Sequence, residues 1–470
     1  MHILESHVCG SWQAPTADGV VTHHAVTGQP VASVSSTGVD LAAAVDHART
    51  VGGPALRSLG FHERAAILKA VGLHLLAEKE SLYELSTATG ATRADSWIDI
   101  EGGAGVLLGY ASKGRRELPH GNVLIDGDPE VLARDGSFLG VHVATPRHGV
   151  AVQVNAFNFP VWGALEKLAP AFLAGVPTIV KPATPTAFVA EAMVRIMVDS
   201  GILPDGALQL VCGRIDGLFD LLDGQDHVAF TGSADTATML RAHPTLGARS
   251  VRFNAEADSL NAAILGDAAA PGTAEFDLFV AEVVREMTVK AGQKCTAIRR
   301  ALVPTAHLDA ATEALAAALA DVRVGDPANP DTQMGALVGV KQREEVRGAV
   351  MALRSVSDVV VDTCDLHDVA PDAGAFQAPT LLRATDPNAR TVHTTEAFGP
   401  VCTLVGHEGP DDAIRLAALG AGSLVASVVT PDANEAAVVT LGIAAHHGRV
   451  HVLDASTAAS STGHGSPLPT

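Results

Sequence analysis

Gly149-Val-Ala-Val-Gln-Val-Asn-Ala-Phe-Asn-Phe-Pro160 is an apolar run followed at once by polar and turn-forming residues. This pattern predicts a buried strand over 149–154 with a loop after it. A helical stretch over 162–174 and a second apolar run at Ile179 and Val180 continue the pattern. Strands that alternate with helices at this spacing predict a parallel sheet with helices on both faces.

The predicted strands also indicate where a ligand binds. Ligands of parallel sheets bind at the carboxyl ends of the strands. Asn158, Lys181 and Gly232 each come just after a predicted strand, so we expect them at one edge of the sheet. The dinucleotide fingerprint Gly-x-Gly-x-x-Gly is absent from the first turn. The sheet alone therefore does not identify the ligand.

Length and composition exclude several classes of protein. A chain of 470 residues exceeds what one hydrophobic core usually organises, which predicts two or more domains. The formal net charge of −20 argues against nucleic-acid and anionic-membrane partners. Five cysteines form no disulfide framework and favour a reducing cytoplasm. No signal-peptide pattern and no run of about 18 apolar residues is present, so we expect a cytoplasmic protein that does not span a membrane.

The segment Lys290-Ala-Gly-Gln-Lys-Cys-Thr296 carries a candidate nucleophile, Cys295. A cysteine attacks efficiently only as the thiolate, and we expect the neighbouring lysine to favour that form. The glycine at 292 allows close approach of the backbone. A lone cysteine is more often a buried, inert side chain, so the hypothesis depends on the rest of the chain.

Six short segments, taken in order, resemble the aldehyde dehydrogenase superfamily over nearly the whole chain. They are Asn155-Ala-Phe-Asn-Phe-Pro160, Pro177-Thr-Ile-Val-Lys-Pro182, Phe230-Thr-Gly-Ser233, Asn254-Ala-Glu-Ala-Asp258, Lys290-Ala-Gly-Gln-Lys-Cys-Thr296 and Glu396-Ala-Phe-Gly-Pro-Val401. In that superfamily a cysteine attacks an aldehyde and a hydride passes to NAD or NADP. The resemblance implies an α/β fold with a Rossmann-type parallel-sheet cofactor domain and a second α/β catalytic domain.

The resemblance also implies a domain organisation. We expect a cofactor-binding domain over 1–280, with an excursion over 118–148 that serves oligomerisation. A catalytic domain that carries Cys295 is expected over 281–440. Residues 441–470 form a return segment that ends earlier than in the family, which puts the homo-oligomer of the family in doubt here.

Three residues match the catalytic positions of the superfamily. Cys295 matches the nucleophile that forms a thiohemiacetal and then a thioester. Asn158 matches the amide that stabilises the oxyanion, although by itself it is equally a turn residue before a proline. Glu256 matches the general base that activates water, whereas a lone glutamate is usually a surface charge. Members that transfer the acyl group to coenzyme A generally lack this base, so hydrolytic release is predicted.

The resemblance places eight residues in the cofactor site. They are Asn155, Phe157, Lys181, Thr184, Gly232, Ser233, Glu396 and Phe398. Lys181 and Glu396 match contacts to the two riboses, and Gly232 and Ser233 match a helix start that meets the pyrophosphate. Thr184 stands where NAD-preferring members often carry a glutamate. We therefore predict NADP, with NAD as the weaker alternative, unless Thr184 merely starts a helix.

Other stretches resemble enzymes that oxidise CoA-linked semialdehydes in aerobic aromatic degradation. These stretches are 90–103, 255–261, 283–288 and 461–466. The resemblance is to the dehydrogenase half of phenylacetate ring-opening proteins and, almost as strongly, to semialdehyde dehydrogenases of the benzoyl-CoA epoxide pathway. It implies a CoA-linked semialdehyde as substrate and a hydratase on a separate chain.

Two other classes of function stay open from the residues. One is a truncated, non-catalytic paralogue that acts as a binding partner, and the other is a cysteine hydrolase. A metal site is not expected, because His446, His447 and His451 have no acidic or cysteine partners at ligand spacing.

Overall fold

The structure, a computed structural model, describes residues 1–370 and 374–465. The end of the expected return segment, 466–470, lies outside the described residues. The strands are β1 (His2–Ile3), β2 (Ser6–Val8), β3 (Ser11–Gln13), β4 (Val20–His23), β5 (Pro30–Val34), β6 (Leu124–Val131), β7 (Leu139–Ala144), β8 (Ala151–Val154), β9 (Thr178–Lys181), β10 (Leu208–Leu210), β11 (His227–Thr231), β12 (Arg252–Glu256), β13 (Ala262–Leu265), β14 (Arg300–Pro304), β15 (Val324–Gly325), β16 (Ser357–Val361), β17 (Leu366–His367), β18 (Thr380–Ala384), β19 (Val401–His407), β20 (Ser423–Val429) and β21 (His447–Leu453).

The α-helices lie between these strands and cover the two large sheets. They are α1 (Leu41–His47), α2 (Gly53–Arg57), α3 (Phe61–Ala77), α4 (Lys79–Thr87), α5 (Arg93–Glu117), α6 (Trp162–Leu173), α7 (Ala187–Asp199), α8 (Ala234–Arg241), α9 (Pro244–Ala248), α10 (Ala274–Thr288), α11 (Leu308–Ala320), α12 (Val340–Arg354), α13 (Pro410–Ala418) and α14 (Ala433–Ile443).

The first large sheet contains the strands expected from the opening stretch. Its order is β12-β11-β8-β9-β10-β2-β3, and strands β8 to β12 run parallel. Consecutive side chains of β9 point to opposite faces: Val180 packs with α3, α5, α6 and α7, whereas Ile179 packs on the other face with α1 and α9. The predicted parallel sheet with helices on both faces is confirmed. Strand order reverses beside β8, which opens a crevice at the carboxyl ends.

The second large sheet begins at an earlier residue than the expected domain boundary. Its order is β16-β18-β19-β14-β13-β20-β21, and all its strands are parallel except β16. Strand β13 pairs with β14 and β20, so the chain enters this sheet at Ala262, before the expected boundary at 280, and the division into domains stays a prediction. Strand β21 extends the same sheet beyond the expected end at 440. Pairing with strands far along the chain leaves no local signal in the sequence.

The excursion expected over 118–148 is an exposed hairpin of β6 and β7. Its large apolar side chains face solvent, including Ile125, Phe138 and Leu139, which are more than half exposed. The use of this hairpin in oligomerisation stays a prediction. No helix within residues 1–370 and 374–465 has the length and apolar character needed to cross a membrane.

Candidate active site

The two large sheets meet at a short connection. Strand β12 ends at Glu256, and only residues 257–261 separate it from β13. The carboxyl edge of the first sheet is thereby joined to the amino edge of the second. Of the three residues expected at the first edge, Lys181 ends β9 and Gly232 directly follows β11, whereas Asn158 lies farther along the loop after β8. Cys295 precedes β14 and comes from the amino edge of the second sheet, which the carboxyl-end rule does not predict.

A strained turn leads to Cys295. After α10 ends, Lys290, Ala291 and Gly292 have φ values of 55°, 51° and 68°. Left-handed backbone costs a residue with a side chain about 1–2 kcal/mol, so the surrounding structure must hold the turn. A Cβ on Gly292 would lie 2.1 Å from the carbonyl oxygen of Gly399, which requires glycine there.

Asn261 fixes the backbone around the thiol. Its side-chain Nδ2 donates to the carbonyl oxygens of Cys295 (2.8 Å) and Ala297 (2.9 Å). Its Oδ1 accepts from Ser259 Oγ (2.7 Å) and from Val425 N (3.1 Å). The side chain is fully buried and uses both donors and both acceptor sites. Sequence reasoning missed this role, and the available signal was a lone asparagine at the start of an apolar strand.

The side chains of Cys295 and Glu256 lie close enough for each to act on the pKa of the other. Burial, and then the charge of Glu256, raise the pKa of the Cys295 thiol well above its ordinary value. Lys294 does lower the pKa of the thiol, as expected, but burial and the charges of Glu256 and Glu166 outweigh it. The lysine Nζ also lies 2.8 Å and 3.0 Å from the two carboxylate oxygens of Glu286. The site therefore provides a proton acceptor next to the thiol rather than an unpaired cation.

Glu256 has the properties of such an acceptor. Burial raises its pKa, and the charge of Glu166 raises it further, while Lys167 lowers it. Glu166 accepts from Lys167 Nζ (2.8 Å) and from Trp162 Nε1 (3.1 Å). A carboxylate with a raised pKa is a better base near neutral pH. Neither Glu166 nor Lys167 was singled out from the sequence.

Glu256 also borders a cavity of about 640 Å³ between the first sheet and helices α5 and α6. Glu166, Lys167 and Gln153 line the same cavity. Within the described residues, both side-chain amide atoms of Gln153 are buried and make no hydrogen bond. A cavity of this size, with these polar side chains in its wall, has room for water. The carboxyl group of Glu256 therefore lies beside the thiol and also lines a space able to hold a water.

Asn158 is buried in the loop that leads into α6. Asp99, from α5, accepts hydrogen bonds from the backbone N–H groups of Val161 (3.1 Å) and Trp162 (2.8 Å). These N–H groups lie in the first turn of α6, where no intrahelical partner is available. The carboxylate of Asp99 thus fixes the backbone just after Asn158.

The crevice at the carboxyl edge contains the first group of expected cofactor residues. Thr184 is half-buried, and burial lowers the pKa of the Lys181 ammonium at the end of β9. Ser233 caps α8, and its side chain accepts from Thr236 N (3.3 Å). Asp258 accepts from Ala234 N (2.8 Å), so one N–H at this helix start already has an anionic partner.

The remaining cofactor residues lie around Arg299. The Phe398 ring meets Phe157 edge-on at 5.8 Å, and the Arg299 guanidinium lies 5.3 Å from the Phe398 ring. Burial raises the pKa of Glu396 to about 7, although Arg299 lies 3.6 Å away and lowers it. Within residues 1–370 and 374–465, Glu396 Oε1 and both amide atoms of Asn155 are buried without a hydrogen bond. These atoms fit a ligand rich in hydroxyl and amide groups, as a dinucleotide is.

A cysteine thiol next to a carboxyl group with a raised pKa, beside a crevice that fits a dinucleotide, is the arrangement of a cysteine-dependent dehydrogenase. The sequence model of the aldehyde dehydrogenase family matches residues 12–465, and the chain belongs to this family. It is an NAD(P)-dependent aldehyde dehydrogenase. The predicted family, fold class and enzyme class are confirmed.

Relatives with known names agree with this assignment. The chain is 46% identical to 3,4-dehydroadipyl-CoA semialdehyde dehydrogenase of Aromatoleum evansii over 472 aligned positions, which cover 99% of this chain and 92% of the relative. Its fold is similar to lactaldehyde dehydrogenase from Escherichia coli (TM-score 0.82, 22% identity, 96% and 91% of the two chains). It is also similar to a Mycobacterium tuberculosis aldehyde dehydrogenase solved with NAD+ (TM-score 0.82, 25% identity, 96% and 90%).

Proposed function

We propose that this enzyme oxidises a CoA-linked semialdehyde of aerobic aromatic degradation to the carboxylic acid, through a thioester on Cys295. The observation that carries the proposal is the position of Glu256 beside Cys295, where burial raises the pKa of the carboxyl group. It places next to the nucleophile a base that also borders a cavity with room for water. A non-catalytic paralogue has no need of such a pair.

The first half-reaction forms the thioester. Glu256 takes the proton of the Cys295 thiol, and the sulfur attacks the aldehyde carbon. The resulting oxyanion accepts hydrogen bonds from the amide of Asn158 and the backbone N–H of Cys295. When bound, the dinucleotide supplies the acceptor for the hydride that leaves the thiohemiacetal carbon. The acyl group then remains on the sulfur.

The second half-reaction releases the acid. Glu256 passes its proton to water in the cavity and is a free carboxylate again. It then takes a proton from the water that attacks the thioester carbon. The carbon–sulfur bond breaks, and Cys295 leaves as the thiolate. Hydrolysis rather than transfer to coenzyme A is supported by the position of Glu256 between thiol and cavity.

We propose NADP as the preferred cofactor, with NAD as the weaker one. Thr184 carries no charge, so it does not repel a 2′-phosphate as a carboxylate would. Lys181 lies at the same edge of the sheet and supplies a cation. The remaining contacts are proposed for Asn155, Phe157, Gly232, Ser233, Glu396 and Phe398, in the crevice described above.

The substrate class is supported by the curated relative. Its name specifies a CoA-linked semialdehyde, and the alignment covers 99% of this chain. That name corresponds to the benzoyl-CoA epoxide route, and the phenylacetate route is the second candidate. A hydratase on another chain would supply the ring-opened aldehyde in the phenylacetate route.

Two further properties belong to the proposal. We place the reaction in the cytoplasm, because Cys9, Cys212, Cys295, Cys364 and Cys402 are all free thiols. We propose a homo-oligomer in which the apolar side chains of the β6–β7 hairpin are covered by a second copy.

The proposal is tested by following the formation of reduced cofactor by the purified chain. The substrates are 3,4-dehydroadipyl-CoA semialdehyde, the corresponding semialdehyde of the phenylacetate route, and a free semialdehyde without coenzyme A. We expect NADPH from the CoA-linked substrates and none from the Cys295→Ala variant. A folded protein that binds NADP and reduces none would contradict the enzymatic proposal. A preference for the free semialdehyde would contradict the substrate class.

A further inference from the structure

Helix α5 presents two buried carboxylates one helical turn apart. Asp95 and Asp99 are spaced i, i+4 and therefore lie on one face of the helix. Asp95 is 2% exposed and Asp99 is fully buried. Both belong to the stretch 90–103, for which the proposed mechanism has no use. Each carboxylate hydrogen-bonds to a different segment of the active site.

Asp95 holds the turn before the nucleophile. Its Oδ1 accepts from the backbone N–H of Lys290 at 2.7 Å. Its Oδ2 accepts from Thr92 N (2.9 Å) and Thr92 Oγ1 (2.8 Å), which fixes the carboxylate at the start of α5. Lys290 is the first left-handed residue of the strained turn that leads to Cys295. The contact of Asp95 therefore acts on the position of the thiol.

Asp99 holds the segment after the amide. It bonds to the N–H groups of Val161 and Trp162, which are 62 and 63 residues away in sequence. Asn158 precedes Val161 by one short loop that contains Pro160. Fixing the first turn of α6 therefore fixes the point at which the Asn158 loop enters the helix.

Lys290 balances the charge of this pair. Its side chain is 4% exposed, and Nζ donates to Thr89 Oγ1 at 3.2 Å. Burial raises the pKa of both carboxyl groups, that of Asp99 to about 7, and the charge of Lys290 opposes this rise. The same residue that starts the strained turn thus favours the ionised form of Asp95 and Asp99.

We propose that Asp95 and Asp99 are positioning residues, and that α5 sets the distance between the Cys295 thiol and the Asn158 amide. One rigid helix contacts the segments that carry both groups, so neither segment can shift without breaking a buried hydrogen bond to a carboxyl group of that helix. The inference rests on the proposed roles of Cys295 and Asn158. A displacement of about 1 Å at such a site can lower a rate about 10²-fold.

The first test compares two reactions of the same thiol in Asp99→Ala. One is the single-turnover burst of reduced cofactor with an aldehyde, which develops an oxyanion. The other is alkylation by iodoacetamide, which develops none. We expect the burst to slow about tenfold or more and the alkylation to change by less than about twofold. The variant Asp99→Asn keeps one acceptor oxygen, so it should recover part of the burst rate and provides a second variant if the alanine variant does not fold.

The second test is a double-mutant cycle with Asn158→Ala. If Asp99 acts through Asn158, Asp99→Ala should slow the burst of the Asn158→Ala enzyme by less than about twofold. If the two substitutions instead slow the burst by factors that multiply in the double variant, the inference for Asp99 is wrong. If Asn158→Ala alone leaves the burst unchanged, the proposed oxyanion role fails instead, so the two failures are distinguishable.

A variant of Asp95 should affect the two reactions differently from a variant of Asp99, and a variant of Asp226 provides a control. Because Asp95 acts on the thiol segment, Asp95→Asn should slow alkylation and burst alike. Asp226 is a fully buried carboxylate at the other end of β8, where it accepts from Val150 N (2.8 Å) and Asp223 N (2.7 Å). Asp226→Asn should lower the thermal midpoint and leave both reactions unchanged. An equal slowing in Asp226→Asn would mean that any buried carboxylate has this effect, and would overturn the inference.

Discussion

Lys294 and Glu286 form a buried ion pair immediately beside the nucleophile. The lysine Nζ lies 2.8 Å and 3.0 Å from the two carboxylate oxygens, and the side chains are 11% and 2% exposed. Burial by itself raises the pKa of Glu286, but Lys294, His464 and Arg285 together bring it below its ordinary value, so the carboxyl stays ionised. Glu286 thus offsets the charge of the cation that precedes Cys295 in the chain. Glu256 is the proposed acceptor for the thiol proton.

Removing the carboxylate of this pair should make Cys295 more acidic. In Glu286→Gln the charge of Lys294 is no longer neutralised, so alkylation of Cys295 by iodoacetamide should extend to lower pH. Loss of one partner of a buried ion pair should also lower the free energy of unfolding by about 3–5 kcal/mol. The measurements are the pH profile of alkylation and urea unfolding. Glu282→Gln is the control, because Glu282 pairs with the more exposed Arg285 (2.8 Å). An unchanged alkylation profile in Glu286→Gln would contradict the prediction.

Replacing Glu256 should separate the two halves of the reaction. Glu256→Gln removes the proposed acceptor of the thiol proton, but it also removes the charge that raises the pKa of Cys295. The more acidic thiol can then lose its proton to water, so a burst of reduced cofactor persists. Hydrolysis loses its general base, and steady-state turnover should fall about 10²–10⁴-fold. Rapid mixing measures the burst, and mass spectrometry detects the acyl group on Cys295. Turnover at the original rate would exclude Glu256 as the hydrolytic base.

Replacing either of two neighbours of Glu256 should shift the pKa of Glu256, in opposite directions for the two variants. The charge of Glu166 raises the pKa of Glu256, and Lys167 lowers it. The base must be ionised, so the acidic limb of steady-state activity should move to lower pH in Glu166→Gln and to higher pH in Lys167→Met. Each profile is measured against pH at saturating substrate. A shift in the same direction for both variants would show a structural rather than an electrostatic effect.

Glu396 should make the cofactor-free protein less stable as pH rises. Its pKa is about 7 in the folded protein because of burial, against an ordinary value of 4.5. Between these values the folded protein binds more protons than the unfolded chain, so the free energy of unfolding falls with increasing pH, by at most about 1.4 kcal/mol per unit. Urea unfolding at pH 5 and pH 7 measures the slope. Glu396→Gln should reduce this slope, and an identical slope in both proteins would contradict the assignment.

The part of the site that depends on local pattern was predictable from the sequence. Lys181 and Gly232 come at or just after strands of a parallel sheet, and the rule for such sheets brings them to one edge. The relationships that tune the chemistry depend on partners far along the chain. Asp99 bonds to the start of α6 from 62 residues away, and β13 pairs with strands β14 and β20. Neither Glu286, the buried partner of Lys294, nor the entry into the second sheet at Ala262 produces a recognisable local pattern in the sequence.

Thr184 provides a test of cofactor preference. It lies at the first position of a short 3₁₀ helix that follows β9, close in sequence to Lys181. In Thr184→Glu a carboxylate enters the crevice, repels a 2′-phosphate and accepts a hydrogen bond from a 2′-hydroxyl. The ratio of kcat/KM for NADP to that for NAD should fall about tenfold or more, since about 1.4 kcal/mol of repulsion is sufficient. Thr184→Gln, which has similar size without charge, is the matched control and should change the ratio far less. If both variants lower the ratio equally, the size of the side chain rather than its charge determines the preference, and the electrostatic argument for NADP fails.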